Sequence, residues 1–163
     1  MARRAVFPDR RHRPPLVLDD TDKAIVEALQ QDGRLSYAEL APRVGLSAPA
    51  TRQRVQRLLA SGAVRVVAVT DPLTLGYPVM AMVGVRASGD LVALADAVAS
   101  LDGVVYVVLA SGEWDLLAEV LCGDTGSLLG IVNDRIKTLP GVLDARASVY
   151  YAIHTHRFTW GVR

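Results

Sequence analysis

Apolar residues recur at helical spacing in three segments of the chain between residues 18 and 62. The first segment, residues 18–32, begins with aspartates, which the positive end of a helix dipole favours. Ser36 followed three residues later by Glu39 is a capping-box pattern, which predicts the start of a second helix. Ser47 can cap a third helix that runs to about residue 62. The pattern therefore predicts three short helices in succession.

A tight turn joins the second and third predicted helices. Its residues, Val44 to Ser47, include Gly45, which can adopt the backbone angles that end a helix. Three helices with such a turn between the last two are typical of a helix-turn-helix. The valine-rich stretch at 64–69 predicts a strand that leaves this domain, and Asp71-Pro72 predicts a turn.

The periodicity then changes to strand, helix, strand, strand, helix and strand. The expected strands are residues 79–86, 104–110, 115–122 and 144–154, and the expected helices are residues 90–100 and about 125–139. This βαββαβ order predicts a four-stranded antiparallel sheet with two helices on one face, the ferredoxin-like arrangement. The predicted fold class is α+β.

Four segments follow from these patterns. Residues 1–16, which contain five arginines and three prolines, are expected to form a disordered basic arm, either a solvated tail or an arm that reaches a DNA groove. Residues 17–64 are predicted to be the helix-turn-helix domain and residues 65–77 a linker strand and turn. Residues 78–163 are predicted to be the ferredoxin-like domain.

The second face of the predicted sheet has no cover within the chain. Apolar residues occur on both sides of these strands, and a bare apolar face favours association. We therefore expect self-association, at least as a homodimer.

Charge is distributed unequally over the 163 residues. Up to Arg65 there are twelve lysines and arginines against seven acidic residues, a balance of +5, whereas the remainder has six against ten, a balance of −4. A locally positive half suits a polyanion such as double-stranded DNA. The lack of a membrane-length apolar run, the single Cys122 and the absence of a secretory signal predict a cytoplasmic protein without a membrane segment.

One face of the third predicted helix is expected to meet DNA. With Val55 at the centre of the buried side, helical geometry turns Thr51, Leu58 and Leu59 inward, although Thr51 stands where an apolar residue is expected. An outward glutamine can pair with adenine, and arginines can contact phosphates or guanine. The alternative is a merely solvated basic face. The predicted DNA-binding residues are Ser47, Pro49, Ala50, Arg52, Gln53, Arg54, Gln56 and Arg57.

Four sequence segments resemble the Lrp/AsnC family of regulators, the leucine-responsive or feast/famine type. They are LDDTDKAIVEALQQDGRLSYAELAPRVGLS from Leu18, RQRVQRLLASGAV from Arg52, GEWDL at 112–116 and LPGV at 139–142. The resemblance covers about residues 18–153, and its helix-turn-helix half is the more specific. It implies an N-terminal helix-turn-helix, a C-terminal RAM domain that dimerises and often forms octamers, and an amino-acid effector bound between subunits.

The GEWDL hairpin is the predicted effector site. A glycine lets a ligand approach backbone N–H groups, a carboxylate can receive an ammonium group, and the tryptophan could form a wall. The alternative is a plain hairpin in which Asp115 bonds its own turn. The predicted effector-binding residues are Ser111, Gly112, Glu113, Trp114 and Asp115.

Other motifs support no catalytic site. The Asp-Thr-Gly-Ser sequence from Asp124 matches the aspartic-protease signature, but Asp and Thr are ordinary helix caps and the protease barrel is missing. His154 and His156 share one side of an extended strand without a third ligand, and Cys122 is interpreted as a small buried hydrophobe. No cofactor or metal is expected.

Two alternatives to an effector-dependent regulator stay open. Some proteins that resemble this family are sirohaem decarboxylases, and in this chain His154 and His156 are the only histidines of the second domain that could act in such an enzyme. The other alternative is an architectural DNA-binding protein that responds to no effector. The favoured interpretation is a sequence-specific regulator, not an enzyme, whose dimer presents two recognition helices to half-sites about one helical turn apart or a multiple of it.

Overall fold

The computed structural model describes residues 16–155. Within them the chain forms two compact units, one that ends at Val69 and one from Thr70 to His154. The first contains three helices, α1 (Asp20–Gln31), α2 (Tyr37–Arg43) and α3 (Ala48–Ala60). Its core is a cluster of four buried side chains, Ile25, Leu40, Val55 and Leu58.

Side chains cap the start of each helix in this unit. Ser36 accepts a hydrogen bond from the Glu39 N–H, and the Glu39 carboxylate accepts from the Ser36 N–H at 2.9 Å, so the predicted capping box is confirmed. Ser47 caps α3 as predicted. Asp19 and Asp22 form a second capping box, at the start of α1. These caps set the points at which the three helices begin.

The predicted linker strand differs in the structure. Residues 64–70 form no β-bridge with any other described residue, and Val66, Val67 and Val69 are exposed. A valine-rich stretch favours an extended conformation, but a strand is completed only by hydrogen bonds to a neighbour. The described part of the chain offers no such neighbour here.

The second unit is a four-stranded sheet with helices. Its elements are β1 (Val79–Ala87), α4 (Leu91–Ala99), β2 (Val104–Leu109), β3 (Leu116–Cys122), α5 (Thr125–Gly130), a π-helical segment (Ile131–Ile136) and β4 (Val142–Val149). The strand order is β2-β3-β1-β4, and all neighbouring strands are antiparallel. The predicted ferredoxin-like sheet is thus confirmed.

The core lies between the helices and one face of the sheet. Alternate residues of β1 and β3 point into it, because successive side chains of a strand point to opposite faces. The helices contribute one apolar side each. The largest fully buried members are Val83, Val85, Val98, Leu116, Val120 and Ile136.

The last strand is shorter at its C-terminal end than the predicted residues 144–154. It begins at Val142, beyond a register shift near Ala87, and ends at Val149. The Tyr150 N–H still donates to the Met80 carbonyl at 2.8 Å. Because β1 begins at Val79, which this register places opposite Tyr151, the residues that follow Tyr151 have passed the end of their neighbouring strand.

Candidate DNA-binding surface and effector loop

The outer side of α3 carries three of the predicted DNA-binding side chains. Arg52, Gln53 and Gln56 are exposed there. In the described part of the chain no side-chain hydrogen bond or ion pair involves Arg52. These three side chains therefore present one cation and two amides to the surroundings of the helix.

The predicted inner face of α3 is confirmed at Thr51 but is wrong at Leu59. Thr51 is fully buried, and its hydroxyl donates to the Ser47 carbonyl at 3.0 Å, so a polar residue fits at this apolar position. Leu59 was predicted to point inward but is 38% exposed. It lies outside the cluster that contains Val55 and Leu58, so the inward prediction is confirmed for Leu58 and wrong for Leu59.

Two of the predicted phosphate-binding arginines are paired within the unit. Nη1 of Arg54 lies 2.6 Å from the Asp19 carboxylate and 2.9 Å from that of Asp22. Nη2 of Arg57 contacts the second oxygen of Asp22. Asp22 is only 1% exposed, and a buried carboxylate needs such partners. These arginines therefore attach α3 to the start of α1.

This arrangement was not predicted from the sequence. The sequence pattern predicts only that the aspartates are favourable charges at a helix N-terminus and that the arginines are outward cations. The available signal was the position of Asp22 one turn after the cap, three residues before the buried Ile25 and therefore on the same side of α1. A carboxylate at such a position is buried with the core residues and recruits a cation.

The remaining predicted contacts lie at the start of α3. The Ser47 hydroxyl accepts from the Ala50 N–H at 3.4 Å, and Pro49 occupies the first turn. Ala50 is half-buried, whereas Ser47 and Pro49 are exposed. Their role in binding DNA stays a prediction.

The predicted effector loop, residues 111–115, connects β2 to β3 in a hairpin. Ser111, Gly112 and Glu113 are exposed, and Gly112 has a φ of 124°, which favours glycine. The Ala110 N–H donates to the Asp115 carbonyl at 3.0 Å and closes the hairpin. The three exposed residues are accessible to a ligand.

Asp115 is fixed to the neighbouring strand β1. Its Oδ2 accepts a hydrogen bond from the Ala87 N–H at 2.9 Å, and its own N–H donates to the Val85 carbonyl at 3.0 Å. The carboxylate is half-buried. The plain-hairpin alternative assumed that this carboxylate bonds its own turn, but in the described structure its hydrogen bond goes to β1, and Oδ1 accepts no hydrogen bond from a described residue.

Trp114 lies on the open face of the sheet, the face that the helices do not cover. Its ring occupies the space beside Gly84, where a Cβ atom would clash with the ring. The Arg146 guanidinium carbon lies 6.0 Å from the centre of the ring. Within the described structure the ring therefore packs against the sheet rather than forming the wall of an enclosed pocket.

The same open face carries a half-buried polar pair. The Tyr150 hydroxyl donates to the Glu119 carboxylate at 3.0 Å, and Met82 lies beside Glu119 in the sheet register. Burial, together with the Glu119 charge, raises the pKa of Tyr150 to about 12. The phenol therefore stays protonated and remains a donor at neutral pH.

The Asp-Thr-Gly-Ser motif and Cys122 have ordinary structural positions. Asp124 caps α5, because its carboxylate accepts from the Ser127 N–H at 2.7 Å, and Cys122 is buried. His154 is exposed, and His156 lies outside the described residues. Among residues 16–155 no group of three or more His, Cys, Asp or Glu is placed to hold a metal ion. None of the helices in that range combines the length and apolar character needed to cross a membrane.

Comparison with known proteins agrees with this two-unit architecture. The AsnC-type helix-turn-helix domain matches residues 18–59, and the Lrp/AsnC ligand binding domain matches residues 80–158. The transcriptional regulator LrpA1 of Halobacterium salinarum is 33% identical over 132 residues, which are 80% of this chain and 93% of that protein. The chain belongs to the Lrp/AsnC family. The leucine-responsive regulatory protein of Klebsiella pneumoniae is 32% identical, over 86% of this chain and 89% of its own.

Solved structures of Lrp/AsnC proteins have the same fold. A transcriptional regulator of Neisseria meningitidis, solved as a complex with L-Met, superposes with a TM-score of 0.78 at 28% identity, covering 87% of this chain and 95% of its own. Escherichia coli AsnC superposes with a TM-score of 0.79 at 24% identity, covering 88% and 99%. The chain is thus a transcriptional regulator of this family, with a helix-turn-helix and a ligand-binding domain, and its relatives' names point to a regulator rather than an enzyme.

Proposed function

We propose that this regulator reads DNA sequence through α3 and that an amino acid modulates its assembly or its DNA binding. The observation that carries the DNA part is the exposed outer side of α3, with Arg52, Gln53 and Gln56 on an AsnC-type helix-turn-helix. A recognition helix needs side chains that reach base edges together with cations that meet phosphates. Arg52 supplies a cation that is not engaged within residues 16–155.

The arginines divide into two groups in this proposal. Arg52 contacts DNA without an ion pair to a described residue of its own chain, whereas Arg54 and Arg57 also form ion pairs with Asp22. Arg57 remains 54% exposed, so it can contact a phosphate while it keeps that ion pair. The glutamines read base edges, and the arginines fix the register of the helix on the duplex.

The effector is proposed to bind at the loop of residues 111–115. Supporting observations are the exposed Gly112, the fixed Asp115 carboxylate with Oδ1 unused, and the L-Met complex of the Neisseria meningitidis relative. A zwitterionic amino acid offers an ammonium group to the carboxylate and a carboxylate to backbone N–H groups. Such a ligand shifts assembly only as far as it binds one state better than the other.

Self-association is proposed to cover the open face of the sheet with a second copy of the chain. This face carries Met82, Leu117 and Leu121 together with the ring of Trp114. A face of this composition is stabilised when its apolar area leaves water. A symmetric dimer presents two α3 helices to two half-sites.

DNA binding is tested with Arg52→Ala, on a duplex that the wild-type protein has selected from a random-sequence pool. We expect weaker binding and a salt dependence that is flatter by about one unit, because one phosphate contact is lost. The midpoint of thermal unfolding should stay unchanged, since Arg52 makes no ion pair within the described chain.

Lys137→Ala is the matched control. It removes one exposed positive charge from the sheet unit and should leave both affinity and salt slope as in the wild type. Unchanged affinity and slope for Arg52→Ala would remove α3 from the proposed interface.

A further inference from the structure

The Asp19, Asp22, Arg54 and Arg57 cluster places two negative charges at the start of α1 against two positive charges of α3. The two aspartates therefore neutralise part of the positive charge of α3, the helix that is proposed to bind DNA. The pairing of Asp22 with both arginines has a structural reason, because its carboxylate is buried inside the unit and needs cationic partners. Asp19 is different, because its side chain is 52% exposed and Arg54 already has a partner without it.

The two bonds of Arg54 differ in how readily they break. The contact with Asp22 involves a buried carboxylate, and its loss would leave a charge away from water. The contact with Asp19 is a surface ion pair, which adds little stability and is screened by salt. Arg54 itself is 31% exposed, so another anion can reach it. In the described part of the chain, Nη1 is the guanidinium nitrogen that makes both contacts.

We propose that Asp19 competes with DNA for Arg54. In the absence of DNA, the Asp19 carboxylate holds the outer side of the guanidinium, and when α3 docks a backbone phosphate takes that place while Asp22 keeps its bond. Arginine suits this exchange, because its planar fork matches phosphate as well as carboxylate. The inference rests on the proposed function, in which α3 meets DNA.

The charge of Asp19 is present whenever DNA binding is measured. The hydrogen bond from Arg54 holds the pKa of Asp19 below its usual value, so the carboxylate is ionised at neutral pH. After the exchange this negative charge remains beside the bound phosphate and repels it. Asp19 therefore lowers affinity for every DNA sequence alike and reduces the net positive charge that α3 presents.

Asp19→Asn tests the competition without removing the helix cap. Asparagine caps a helix as well as aspartate does, and its amide oxygen can still accept from the Asp22 N–H. On a duplex selected by the wild-type protein, we expect affinity to rise about fivefold at ~0.1 M salt, the range of one surface charge pair. The gain should shrink as salt increases, so the salt slope becomes steeper. A purely structural role for Asp19 would not steepen that slope.

Asp20→Asn is the matched control, because it removes the same charge from the next residue. Asp20 is exposed and lies 3.8 Å from Lys23 rather than against Arg54. Its affinity should stay within about twofold of the wild type, since exposed charges further away are screened. An equal gain in both variants, or no gain in Asp19→Asn, would overturn the competition while leaving DNA binding by α3 intact. A wild-type protein that selects no duplex would overturn both proposals.

Discussion

The carboxylate of Asp115 already accepts one hydrogen bond within its own unit, from the Ala87 N–H. Substitution by alanine would remove that bond as well as any contact with a ligand ammonium, so two effects would be mixed. Asparagine separates them, because its amide oxygen can accept from the Ala87 N–H but carries no charge. Asp115→Asn is therefore the more informative change at this residue.

For Asp115→Asn we expect that an amino acid which stabilises the wild-type protein no longer does so. The ammonium loses its ionic partner, whereas the unfolding temperature without ligand stays near that of the wild type. The measurement is a thermal-shift screen of the twenty amino acids on both proteins. Asp96→Asn, an exposed carboxylate of α4, should keep the full shift. A shift of wild-type size in Asp115→Asn would place the effector elsewhere.

At the scale of the elements, each helix of the first unit begins at a side chain that accepts from its own first turn. In α2 the contact is reciprocal, because Ser36 also donates its hydroxyl to the Glu39 carboxylate at 2.6 Å. That hydrogen bond, together with the backbone one, holds the pKa of Glu39 below its usual value. The stability that the charged carboxylate adds is present above its ordinary pKa and is lost as pH falls through the lowered one.

Ser36→Ala is expected to lower the free energy of unfolding by about 1 kcal/mol at neutral pH, the usual effect of losing a helix cap. Denaturant titration followed by circular dichroism measures the difference, with Ser88→Ala as an exposed serine control in the other unit. The difference should shrink as pH falls through the lowered pKa of Glu39. A difference that grows toward acid pH would contradict the reciprocal cap.

Local signals determined what could be predicted from the sequence. Caps such as Ser36 and Ser47 and the strand-helix order depend on neighbours within a few residues, so the elements and the sheet followed. The pairing of Arg54 with Asp22 spans 32 residues and depends on how α1 packs on α3, which periodicity does not specify. The position of Trp114 beside Gly84 likewise requires the register between β1 and β3.

At the scale of the whole molecule, the main feature of the fold is the open face of the sheet. The helices cover one face only, and the other presents apolar side chains around the Tyr150 to Glu119 hydrogen bond. The bare valines of residues 66–69 are a second apolar surface that no described strand pairs. The proposed assembly covers the first of these surfaces, the open face, with a further copy of the chain.

Met82→Glu is expected to convert the proposed dimer into a monomer. It places a charge in the middle of the open face, next to Glu119, where desolvation and like-charge repulsion oppose association. Light scattering measures the mass. Leu129→Glu puts the same charge on an exposed leucine of α5 and should leave the dimer intact. A Met82→Glu protein that keeps the wild-type mass would exclude this face as the interface.

The placement of Trp114 also gives the protein an optical property. The chain has two tryptophans, Trp114 and Trp160, so Trp160→Phe leaves a single indole that emits light. That indole lies beside Gly84 and near the Arg146 guanidinium, and it precedes Asp115 directly in the chain. The wavelength of its emission maximum depends on nearby charge and water. The fluorescence of an unlabelled sample would thus respond both to ligand binding at the loop and to association through the open face.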